Sequence, residues 1–129
     1  MDAYLTEEAR AFLQAQTSAK RKVGGVLLGH LRGRRFIVES LYPCPEADFL
    51  TEAGFWNLQK IFDGRIIGFY SSRSLTGDNS PLFKPFACGK LFLSLALRSR
   101  NRLAVKARII EFEGRYFLSP IPLSRPPKE

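Results

Sequence analysis

Val23-Gly24-Gly25-Val26-Leu27-Leu28-Gly29-His30 is an apolar run carrying three glycines, too short for a globular helix. Consecutive apolar side chains read as a strand covered on both faces. Glycines inside such a strand mark places where another backbone approaches too closely for a side chain. Further along, Arg65-Ile66-Ile67-Gly68-Phe69-Tyr70 repeats the pattern and runs straight into Ser71-Ser72-Arg73-Ser74. The fold is expected to be built around these two strands.

Working outward, Gly33 turns the first strand into Arg35 to Leu41, a hairpin centred on Leu31-Arg32-Gly33-Arg34. Pro43 and Pro45 then stop the ladder, because proline has no N–H to donate. Upstream, Thr6-Glu7-Glu8 reads as a helix start, with Thr6 accepting from a free backbone N–H and the acids facing the positive helix end. Leu5, Ala9, Phe12, Leu13 and Gln16 follow at helical spacing as an inward face, and the helix ends near Ala19. Thr51 opens a second helix with Phe55, Leu58, Ile61 and Phe62 as its apolar stripe, and Gly64 lies just past its end. Residues 71 to 90 are loop-like, broken by Gly77, Pro81, Pro85 and Gly89. Leu91 to Leu97, Leu103 to Phe112 and Arg115 to Leu118 read as strands, the last two joined at Glu113-Gly114. The order of elements predicts an α+β fold, a mixed β-sheet flanked by helices. One domain is expected over residues 1–119, followed by a proline-rich tail over 120–129.

With 129 residues, 45% of them apolar and 12% aromatic, the chain has material for one sizeable core. There is no basic stretch leading into an apolar run and no long uncharged apolar window, so neither export nor membrane spanning is expected, and cytoplasmic residence follows. Cys44 and Cys88 form no C-x-x-C pair and are expected to be reduced, inert thiols. The formal charge of +8 suits nucleic acid, an acidic protein or an anionic surface. The cations gather at Lys20-Arg21-Lys22, at Arg32 with Arg34-Arg35, and at Arg98, Arg100, Arg102, Lys106 and Arg108.

The glycine-rich strand followed by Gly68-Phe69-Tyr70-Ser71-Ser72-Arg73-Ser74 resembles the MPN (JAB/Mov34) domain, in which a second strand runs into a His-Ser/Thr-His-Pro ligand loop. The resemblance implies an MPN/JAB-like, cytidine-deaminase-like sandwich. In active members of that family, two histidines and an aspartate hold zinc, and a glutamate handles the proton of the zinc-bound water. Carried across, the glutamate falls at or beside Lys22, the histidines at Ser71 and Arg73, and the intervening hydroxyl residue at Ser72. Ser80 lies near the family serine, and Phe83 stands where the aspartate would be. The chain contains one histidine, His30, so a two-histidine zinc site cannot be assembled from it.

The same shortage leaves a serine or cysteine nucleophile without a ready base, and no phosphate-binding glycine loop occurs. No cofactor, metal or catalytic residue is therefore expected. Lys22 and Arg73, with the hydroxyls of Ser71 and Ser72, place positive charge and donors where the dication would sit, a pattern suited to a carboxylate or phosphate. By resemblance, members lacking the ligand set act as scaffolds. The expectation is a non-catalytic protein-binding module, bound to a partner or to a second copy, with Phe83 and Phe86 as contact candidates. The alternative is a nucleic-acid-binding domain in which Arg98, Arg100 and Arg102 contact phosphates.

Overall fold

The two glycine-bearing strands lie side by side at the centre of one sheet. The computed structural model describes residues 1–17, 22–99 and 102–124. In chain order these form β1 (Asp2–Leu5), α1 (Glu7–Thr17), β2 (Gly24–Arg32), β3 (Arg35–Pro43), α2 (Glu46–Phe49), α3 (Glu52–Ile61), β4 (Ile66–Ser71), β5 (Leu91–Ser99), β6 (Arg102–Phe112), β7 (Tyr116–Ile121) and β8 (Leu123–Ser124), with a 3₁₀ turn at Pro85–Ala87. The described strands make a single eight-stranded mixed sheet in the order β7-β6-β5-β4-β2-β3-β1-β8. β2 runs antiparallel to both β3 and β4, whereas β4 and β5 are parallel.

The ends of this sheet are one piece of chain. Tyr116–Ile121 pairs with β6, and after Pro122 alone the chain pairs with β1 as β8. The Pro122 carbonyl accepts from the Ala3 N–H at 3.0 Å, so the proline lies within the seam. Asp2 fastens it further. Its carboxylate accepts from Arg35 Nη2 at 2.9 Å and from Ser124 Oγ at 3.1 Å, tying β1 to both neighbours. The Arg35 bond lowers the Asp2 pKa from its ordinary value.

This geometry corrects the expected α+β architecture. The sheet is not a flat layer flanked by helices in an MPN/JAB-like or cytidine-deaminase-like sandwich. It is a nearly closed, barrel-like sheet that dominates the structure, and its helices are short, the longest being α1 with 11 residues. Asp2–Leu5 is a strand rather than a lead-in to the first helix, and Leu5 belongs to it. Pro120 and Pro122 are not a tail beyond the domain, since β7 and β8 continue to Ser124. Proline at the rim of a sheet forfeits only a donor, and its carbonyl remains available to the ladder.

Locally, the start signals hold. Thr6 Oγ1 accepts from Ala9 N at 3.2 Å and Thr51 Oγ1 from Gly54 N at 3.2 Å, capping α1 and α3. Side chains of the central strands alternate between two cores. Leu27, Tyr70, Leu91 and Leu93 join Ala9 and Leu13 of α1 on one side of the sheet. Val26, Phe69 and Phe92 join Phe49, Phe55 and Leu58 of α2 and α3 on the other. Each buried phenylalanine contributes on the order of 2 kcal/mol. The helix stripes are narrower than the sequence spacing suggests, since Phe12 is 40% and Ile61 64% exposed.

Gly68 and Gly25 show why this centre tolerates no side chains. A Cβ on Gly68 would strike the Leu91 carbonyl oxygen of β5, and one on Gly25 the Tyr42 carbonyl oxygen of β3. Gly68→Ala is expected to destabilise the fold by about 2–4 kcal/mol, because backbone must move to admit the methyl. Gly77→Ala, with nothing within 4 Å of its added Cβ, should stay within about 0.5 kcal/mol of the parent. Urea denaturation of both variants checks the contrast.

Candidate functional site

β4 ends where β2 begins, and Lys22, Ser71, Ser72 and Arg73 meet at that junction. Gly24 pairs with Ser71 across the ladder. Lys22, Ser71 and Arg73 line one small pocket of about 190 Å³, together with Cys44 and Glu46 from the β3–α2 connection.

The polar groups here are engaged within the chain. Ser71 is buried, and its Oγ accepts from the Arg73 N–H at 3.0 Å. Ser72 clasps Val23 three ways. Its Oγ accepts from Val23 N at 2.8 Å and donates to Val23 O at 3.2 Å, while its own N–H donates to that carbonyl at 2.8 Å. Arg73 Nη2 lies 2.8 Å from Glu46 Oε1. That oxygen is buried and receives no well-directed hydrogen bond, so the contact is an ion pair held by charge more than by alignment. Lys22 is exposed at the pocket mouth.

Electrostatics sets what the pocket accepts. Burial pushes the Cys44 thiol up to about 11, with the Asp48 carboxylate adding to the shift, so the thiol stays protonated and unreactive at neutral pH. The donor set does not fit zinc, since lysine and arginine repel a dication and the Glu46 carboxylate is paired with Arg73. An anion would have to compete with Glu46 for Arg73, leaving Lys22 as the unpaired cation of the rim. Glu46 and Cys44 were not singled out in the sequence. The Pro45-Glu46 start of α2 was the available signal, because an acidic residue is favoured in the first turn of a helix.

The remaining candidates are dispersed. His30 sits on the β2–β3 hairpin with Nδ1 2.7 Å from Glu39 Oε1 and is not among the residues lining the pocket. Ser80 is buried, and its Oγ accepts from Leu82 N at 3.1 Å. Phe86 stacks on Phe55 with centroids 4.9 Å apart, and Phe83 stacks on Tyr116 at 5.8 Å. Both are half-buried. Trp56 is 51% exposed on α3. Arg100 lies outside the described residues; Arg98 and Arg102 fall on β5 and β6 at that hairpin, where Ser99 pairs with Arg102. Among the described residues, no helix is long and apolar enough to cross a membrane.

Ser72→Ala, which removes the two hydroxyl bonds to Val23 and keeps the backbone one, is expected to lower stability by about 1–2 kcal/mol. Arg73→Ala, which breaks a half-exposed ion pair, should cost less than about 1 kcal/mol, and thermal melts of both test that ranking. A thiol reagent at neutral pH should label exposed Cys88 first. Because the Cys44 pKa is raised on folding, its contribution to stability is intact below the ordinary value of 9.0 and is lost as pH climbs toward about 11. Its labelling rate should rise over the same window.

No family model matches the chain, and no curated protein matches it. Among solved structures it is similar to the protein DSY2949 from Desulfitobacterium hafniense, determined in solution, with a TM-score of 0.62 and 16% sequence identity over 96% of this chain and 94% of that one. The likeness extends over nearly the whole of both chains and concerns the fold.

Proposed function

We propose that this chain is a non-catalytic protein-binding module in which the 71–73 segment serves as an internal joint. The observation that carries this reading is how the ligand-position residues are used. Ser71 and Ser72 spend their hydroxyls on backbone groups, and Arg73 is paired with Glu46. A serine nucleophile needs a base within reach, and the one histidine of the chain is held by Glu39 on another hairpin. What remains for function is surface, with half-buried Phe83 and Phe86 and exposed Trp56 offering apolar contact. The partner is a protein or a second copy of the chain. The setting is cytoplasmic, consistent with two free cysteines.

The test combines chemistry with assembly. Purified protein given zinc and an isopeptide-linked substrate should show no cleavage and no rise in melting temperature. Protein isolated from its native host should elute as a fixed-stoichiometry complex or as a homodimer by light scattering. Zinc-dependent cleavage that a chelator abolishes would overturn the proposal.

A further inference from the structure

A concavity separate from the Lys22–Arg73 pocket lies where the 76–83 segment faces the outer strands β6 and β7. It measures about 720 Å³ and is lined by Arg108, Arg115, Thr76, Asp78, Phe83 and the Tyr116–Leu118 stretch of β7.

Three observations at this groove converge. First, Arg108 Nη1 is buried and has no hydrogen-bond partner. A buried cationic donor left unmatched is costly, and an anion arriving from outside would satisfy it. Among the described residues, neither Arg108 nor Arg115 forms an ion pair. Second, β7 is the last strand of the sheet on this side, and its edge opposite β6 carries no strand among the described residues. Unpaired N–H and C=O groups there form a template for an added strand. Pro120, which cannot donate, lies opposite Arg108, so such pairing is confined to the 116–119 stretch, which begins beside Arg115 and runs toward Arg108. Third, Phe83 and Tyr116 lie nearly parallel, 8° apart, against one another. Phe112, 53% exposed, packs beside Tyr116, and the three rings form an apolar wall of the groove.

From these we infer that the groove binds an extended acidic peptide segment of a partner protein, which adds as a strand to the free edge of β7 and places carboxylates on Arg108 and Arg115. Side chains on one face of a strand recur every second residue, so the matching ligand has acids at alternate positions. Carboxylates meet the planar arginine forks in bidentate geometry. The net charge of +8 favours the encounter. Asp78 in the wall selects against a continuous run of negative charge. This inference rests on the protein-binding reading and gives its surface and partner chemistry.

The experiment is fluorescence anisotropy of the full chain with a labelled peptide of about eight residues, glutamate alternating with threonine. Controls are the glutamine analogue, a version N-methylated at alternate residues, and a single-stranded oligonucleotide, at about 0.15 M salt. Saturable binding of the acidic peptide is expected. Arg108→Met and Arg115→Ala should each weaken it about tenfold, as should glutamine replacement or backbone methylation. Arg108→Met keeps the packed stem and is compared at matched melting temperature; Arg115, exposed at the β6–β7 hairpin, supplies a variant without a folding risk. Equal binding of the glutamine peptide, indifference to both arginine changes, preference for the oligonucleotide, or absence of saturable peptide binding would each overturn the inference. A stable partner complex together with no peptide binding would sink only this groove, whereas zinc-dependent cleavage would sink the reading beneath it.

Discussion

The structure depends on backbones in contact at the centre of the sheet. Gly25 and Gly68 let β2 and β4 lie against β3 and β5 where any Cβ would meet a carbonyl oxygen. With the central strands so close, their other residues are forced to alternate between two cores, and both helix groups receive a complementary face. The cost is conformational, since each glycine gives up more freedom on folding than another residue would. The surrounding aromatic burial offsets it.

That arrangement also explains the state of the junction between β2 and β4. Two strands brought together need their ends satisfied, and the Ser72 clasp on Val23 does this with three short hydrogen bonds. Once hydroxyls serve as a joint, they are poor candidates for chemistry. The ion pair of Arg73 with Glu46 then holds the loop against α2 by an attraction that solvent screens but does not abolish. The groove on the β6–β7 side of the sheet, where a buried arginine nitrogen lacks a partner, shares no lining residue with this joint.

Much of the chain's local order was legible. The caps at Thr6 and Thr51, the hairpin turns at Gly33 and Gly114, and the central strands follow from residue types whose preferences are intrinsic to the backbone. The grouping of Lys22, Ser71 and Arg73 was suggested by the family resemblance alone, and the structure brings the three to one pocket. Glu46 was not legible as their partner, because it arrives from a four-residue helix that propensity alone would not nominate. Nor was the solitary state of Arg108, whose periodicity matches that of any strand cation.

By itself, the sequence marked the central strands, the two capped helices and the hairpin turns, and it ruled out a two-histidine metal centre by supplying one histidine. Only the tertiary structure decided that Tyr116–Ser124 would serve both edges of the sheet and curl it nearly shut. The reason is that local preference acts over a few residues, whereas closure joins Ala3 to Leu123, a pairing that no neighbour in the chain encodes.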